Sequence, residues 1–93
     1  SLKVDLWEQI MREKWPESKW IIDKCADMVR IPLNDIGDTA LHVAVRYDSL
    51  EIVNKLVKRM GPKDMVIPNS SGDTALHVAV RYSSLEIVDE LVK

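Results

Sequence analysis

The alternation of apolar and polar positions from Gly37 to Lys58 (GDTALHVAVRYDSLEIVNKLVK) returns from Gly72 to Lys93 (GDTALHVAVRYSSLEIVDELVK). The offset is 35 residues, and only Asp48/Ser83, Asn54/Asp89 and Lys55/Glu90 differ. A fixed period of this size is the mark of stacked repeat units. Each copy predicts two short helices. Thr39 and Thr74 can cap the first by accepting a bond from an unpaired first-turn N–H. The stretch ALHVAV that follows is apolar on nearly every side, so it needs neighbours on both flanks. Asp48 or Ser83 marks the turn, and the second helix of the earlier copy sets Leu50, Val53, Leu56, Val57 and Met60 on one face. Glu51 and Lys55 are spaced for an ion pair along that helix. Gly61-Pro62 ends it.

Between the copies, residues 63–72 read as an extended arm that turns at Asn69–Gly72, with a counterpart over residues 27–37. Asn34 and Asn69 each stand three residues before a glycine, a spacing that suits a tight turn. A further shift of 35 residues aligns Leu6 with Leu41, Trp7 with His42, Ile10 with Val45, Trp15 with Leu50, Ile21 with Leu56 and Ile22 with Val57. Pro16 falls where a first-turn proline starts a helix. The expected organisation is therefore one domain over residues 1–93. It comprises a diverged unit over 2–36, a repeat over 37–71 and a terminal repeat over 72–93, with the first unit altered because an end unit faces water.

Composition narrows the function. With 46% hydrophobic and 30% charged residues in 93, the chain has material for one small core. Thirteen basic and fifteen acidic residues are intermixed and leave a formal charge of −2, so no field favours nucleic acid or an anionic membrane. Cys25 is the single cysteine, which rules out an intrachain disulfide and a four-cysteine zinc site. No apolar run approaches the length of a membrane span and no signal-peptide core is visible, so a soluble intracellular domain, most simply cytoplasmic, is expected. Gly37, Gly61 and Gly72 are isolated and form no phosphate loop. No nucleophile–base–orienter set can be assembled, and the reading is non-enzymatic with no cofactor and no metal.

Gly37-Asp38-Thr39-Ala40-Leu41-His42-Val43-Ala44-Val45 resembles the G-x-T-P-L-H-x-A-A signature of ankyrin repeats, and Leu50–Val57 looks like that family's second helix. Gly72–Val80 and Leu85–Val92 match in the same way, and the GDTALH wording is most similar to the opening repeats of plant ankyrin proteins. Ala40 and Ala75 replace the signature proline, Asp48 and Ser83 the interhelix glycine, and the period is 35 rather than about 33. The resemblance implies an all-α helical repeat solenoid of about three helix–turn–helix units with short β-hairpin arms. It implies structural roles for Thr39, Leu41 and His42 and for Thr74, Leu76 and His77, each histidine linking its helix start to a neighbouring turn. It also implies protein–protein recognition through the turn tips and the first-helix face. Those positions are Asp35, Ile36, Asp38, Arg46 and Tyr47, then Ser70, Ser71, Asp73, Arg81 and Tyr82. Among the tryptophans, Trp15 is assigned to packing and Trp20 to an exposed contact.

The alternative reading is an engineered, self-associating structural scaffold with no natural ligand, which fits the near-identity of the copies. The sequence stops at Lys93 directly after a second helix, so the expectation is an uncapped C-terminal face covered by another copy.

Overall fold

The computed structural model describes residues 2–82 and 85–92, with the side chain of Leu2 also left aside; the expected turn at Ser83 and the terminal Lys93 lie outside the described residues. The helices are α1 (Leu2–Met11), α2 (Trp15–Lys24), α3 (Ala40–Arg46), α4 (Leu50–Arg59), α5 (Pro62–Met65), α6 (Ala75–Arg81) and α7 (Leu85–Val92), with a 3-10 turn at Ala26–Val29. Three hairpins, α1–α2, α3–α4 and α6–α7, stack in order. The first helices form one layer, α1 on α3 on α6, and the second helices form the other, α2 on α4 on α7.

Helices this short are marginal alone, and tertiary burial of their apolar faces supplies the stability. In α3 every residue from Ala40 to Val45 is buried, including His42. The identical stretch in α6 buries only Ala75, Val78 and Ala79, which face α3. Its other side is open: Leu76 is 37% exposed and Val80 61%, against 1% for each of Leu41 and Val45. On the far side of the stack, α1 places Asp5, Glu8 and Gln9 where α3 has Ala40, Val43 and Ala44, and Asp5 and Glu8 are exposed. That unit caps the stack with a polar face, as terminal repeats do. Its inward side chains Leu6 and Ile10 are fully buried.

The first two interhelix turns use the left-handed region. Asp48 has φ +55° and Glu13, one period earlier, φ +57°. Aspartate accepts this conformation more readily than most residues, which suits Asp48 to a position without glycine. Ser49 Oγ donates to Glu13 Oε1 at 3.1 Å and joins the two turns. The ion pair expected between Glu51 and Lys55 does not form; the i,i+4 pair among the described residues is Lys19–Asp23 at 2.8 Å. Exposed pairs of this kind gain little over solvation.

The arms differ from expectation, because no strand occurs among the described residues. Residues 63–65, expected to begin an extended arm, instead lie with Pro62 in the helical turn α5. Pro62 occupies its first positions and Asp64 reaches back to accept from Gly61 N at 3.1 Å. Both features pre-organise a helix start. Beyond α5, the backbone bonds are isolated rather than laddered: Leu33 N to Asp38 O, Asn69 N to Asp73 O and Ser70 N to Ile36 O. Asparagine side chains satisfy N–H groups that a paired strand would otherwise take.

Gly37 and Gly72 both have positive φ, +77° and +81°. They differ in surroundings. A Cβ on Gly37 would lie 2.7 Å from Ser70 Oγ and 2.9 Å from Ser70 N, whereas one on Gly72 meets nothing within 4 Å. Gly72→Ala is therefore expected to cost about 1 kcal/mol from backbone conformation alone. Gly37→Ala should cost about 2–3 kcal/mol, because it also parts the successive turns. Urea unfolding of both variants checks this, and equal losses would contradict the close approach of the turns.

Candidate functional site

The turn tips are organised by two asparagines. Asn34 Oδ1 accepts from Ile36 N at 3.2 Å and Asp38 N at 3.0 Å. Asn69 Oδ1 accepts from Ser71 N at 2.9 Å and Asp73 N at 3.0 Å. Each side chain replaces a backbone partner and tightens its turn, which is why asparagine suits this place.

Between the turns lies Asp38, fully buried. Its Oδ2 accepts from Arg46 Nε at 2.6 Å and Asn34 Nδ2 at 3.2 Å, and its Oδ1 accepts from Asn69 Nδ2 at 3.1 Å. Burial is the largest single influence on this carboxyl and pushes it up, but the bonds from Arg46, Asn69 and Asn34 together hold it below the ordinary carboxylate value. The expectation that Asp38 meets a partner directly is corrected here: its oxygens are committed inside the protein, and its part is to hold Arg46 and two turns.

His42 carries the second link between units. Its Nδ1 accepts from Thr39 N at 3.2 Å and lies 2.9 Å from Thr39 Oγ1. An accepting Nδ1 places the proton on Nε2, which donates to Asp73 O at 2.7 Å in the next unit. His77 repeats the local half of this pattern, with Nδ1 accepting from Thr74 N at 3.1 Å, but the residue is exposed. Leu76 is likewise part-exposed where Leu41 is core.

The outer edge presents the remaining expected residues. Asp35, Ile36, Ser70 and Ser71 are exposed at the turn tips, and Tyr47 and Tyr82 are exposed at the ends of α3 and α6. Asp73 is half-buried and pairs with Arg81, Nη1 to Oδ2 at 2.9 Å. Arg46 does two things at once: Nε holds Asp38, while Nη1 donates to Tyr82 Oη at 2.9 Å with the guanidinium 5.9 Å from that ring's centre. Tyr47 meets Trp7 edge to face, with centroids 6.0 Å apart and planes at 84°. Trp7 is the member of this row that the aligned repeats do not reveal. The available signal is its step of four residues from Met11, which is in register with Arg46. Away from the row, Trp15 is buried beneath the Arg59 guanidinium and Trp20 is 48% exposed.

A family model for ankyrin repeats (3 copies) matches residues 17–93. No curated protein matches the chain. Among the described residues no helix is long and apolar enough to cross a membrane.

Two consequences follow from the buried links. Because the folded Asp38 carboxyl titrates below its unfolded value of about 3.9, its contribution is fully present above that pH and is lost as pH falls through the folded value. Asp38→Asn should thus cost about 2–3 kcal/mol at pH 7, with the gap to wild type narrowing below about pH 4. A gap that stays constant down to pH 2 in chemical denaturation would count against the charged network. His42→Ala should cost about 2–4 kcal/mol, while His77→Ala, which loses only a helix-start bond, should cost about 1 kcal/mol. Melting curves of the two variants measure the inter-unit share directly, since their local sequences are the same.

Proposed function

The chain belongs to the ankyrin repeat family, and on that premise we propose that it is a non-enzymatic protein-recognition module that binds through its outer edge. Ankyrin repeats are in general protein–protein interaction modules. The observation that supports this edge is the row Trp7, Tyr47, Arg46 and Tyr82, which runs across all three units and in which Arg46 is held from beneath by Asp38. Tyrosine, tryptophan and arginine are the residue types on which binding energy concentrates. Rotamer entropy is also favourable: Arg46 is already fixed by two bonds, so a partner need not order it. Ile36, 45% exposed, and the Ser70–Ser71 tip extend the same edge toward the turns.

A second reading, the self-associating scaffold, draws on a separate observation. Leu76, Val80, Leu85 and Val92 are 37%, 61%, 76% and 61% exposed on α6 and α7. A patch of this kind invites association.

One set of experiments separates the two. Binders selected from a displayed peptide library against the folded chain should lose about tenfold or more in affinity with Tyr47→Ala/Tyr82→Ala, at an unchanged melting temperature. Binders that ignore both tyrosines, together with a mass that climbs with concentration in light scattering, favour the scaffold and sink recognition through this edge.

A further inference from the structure

α3 and α6 share the sequence ALHVAVR, and the residues that bound them share a backbone conformation. Thr39 and Thr74 have φ −81° with ψ 178° and 172°; Tyr47 and Tyr82 have φ −91° and −90° with ψ 9° and 6°. The two helices are therefore one object in two settings. In the stack α3 is followed by α6, and α6 by no further helix among the described residues. Leu41, His42 and Val45 are buried, whereas Leu76, His77 and Val80 are exposed and, with Arg81, line an open apolar cavity of about 460 Å³. What covers α3 therefore defines the chemistry that fits the open side of α6.

That covering has three parts. The small or branched side chains Ala75, Val78 and Ala79 lie against the apolar part of α3. The turn before them meets the polar part: Asp73 O accepts from His42 Nε2 at 2.7 Å, and Asn69 Nδ2 donates to Asp38 Oδ1 at 3.1 Å. On the second helices, the Asn54 amide of α4 donates to Glu90 of α7, 3.1 Å from each carboxylate oxygen. One period on, the corresponding groups are His77, Asp73 and Asp89. His77 Nδ1 accepts from Thr74 N, which leaves the proton on Nε2, as in His42. Asp73 Oδ2 is shut off from water, and Arg81 Nη1 approaches it at 2.9 Å without the alignment of a hydrogen bond. Asp89 is exposed.

The change from Asn54 to Asp89 alters what the occupant must carry. Glutamate at the place of Glu90 would set a carboxylate against Asp89, whereas a lysine there, as Lys55 is in its own unit, sets opposite charges together. Copies of this chain do not supply such a surface. On α1, Asp5 and Glu8 replace the small residues and would be buried as carboxylates against Leu76 and Val80. The inner face of α6 is used by α3, and Asn69 and the Asp73 carbonyl are already bonded to Asp38 and His42. A twofold pairing of two open faces would cover Leu76 and Val80 but bring no carbonyl to His77 and no amide to Asp73.

We propose that the open face of α6 and α7 docks a helix–turn–helix repeat unit of another protein. That unit carries small residues on the back of its first helix, an asparagine turn before it, and a basic residue on its second helix at the place of Glu90. Its turn supplies a carbonyl to His77 Nε2 and an amide to Asp73, and its basic residue meets Asp89. The site is separate from the Trp7–Tyr82 row and does not depend on the recognition role of that row.

The test uses the full chain and two capped peptides with the sequence of residues 66–93, one unaltered and one with Glu90→Lys. Methyl and imidazole signals of the chain are followed during titration. The Glu90→Lys peptide should shift Leu76, His77 and Val80 saturably. It should bind about threefold or more tighter than the unaltered peptide, with the difference closing at about 1 M salt. In the chain, His77→Ala should weaken binding about fivefold, as should Asn69→Ala in the peptide. Val80→Asp, at a position exposed enough to leave the fold intact, should weaken it about tenfold or more, while Tyr47→Ala on the recognition edge should leave it unchanged. The buried Ile87 methyl should keep its folded position, because the peptide adds to the stack rather than displacing α7. Equal binding of the two peptides, a shift of Ile87 to its unfolded position, or no shifts at millimolar peptide would each overturn the proposal. So would a mass that climbs with concentration in the absence of peptide, since a second copy would then occupy the face.

Discussion

A fully buried carboxylate with no compensation would cost several kcal/mol, so Asp38 obliges its surroundings to supply donors. The donors come from three places: Asn34 on its own turn, Asn69 on the next turn and Arg46 at the far end of α3. Satisfying one side chain therefore draws two turn tips and a helix end to a common point. The bond from Ser70 N to Ile36 O and the close approach at Gly37 depend on the same juxtaposition. His42 adds a second tie between the units, from the start of α3 to the Asp73 carbonyl. Apolar burial gives the stack its stability, and these polar links set how one unit is placed on the next.

The two near-identical segments show how far environment overrides local sequence. In α3 the stretch ALHVAV is buried throughout, and its histidine bridges to another unit. In α6 the same stretch is covered on one side, and among the described residues the same histidine keeps only its bonds to Thr74. Capping is thus a local property that both copies express, whereas bridging belongs to a pair of neighbouring units. Charge follows the same rule. Asp38 has Asn69 from the following turn as a partner; Asp73, its equivalent, is half-buried and pairs with Arg81 of its own unit.

This division explains what could be read in advance. The three-unit register was legible because a 35-residue shift aligns apolar positions even in the diverged first unit, where Leu6, Ile10 and Ile21 are all buried. Thr39 and Thr74 were legible as caps because capping acts over three residues. Asp38 was misplaced on the contact surface because a polar residue at a turn tip carries no mark of the direction its side chain takes. Its neighbour Asp35 is exposed. The α5 turn was misread as extended although Gly61-Pro62-Lys63-Asp64 has the proline and the acidic third position of a helix start. There the general tendency of Gly-Pro to end a helix obscured its second use, to begin one. Trp7 with Tyr47 escaped notice because the contact joins positions that are not equivalent in the repeat.

The recognition edge and the interior are therefore linked through Arg46 rather than merely adjacent. Its Nε is held by the buried carboxylate, and its Nη1 in turn holds the hydroxyl of Tyr82 in the following unit. The side chain is part-buried, so water competes poorly for these bonds, and its guanidinium also lies beside the Tyr82 ring. Fixing the end of one helix thereby fixes an aromatic side chain of the next. Polar pairing inside the stack, which satisfies one buried charge, also pre-orders the Arg46–Tyr82 part of the outer row.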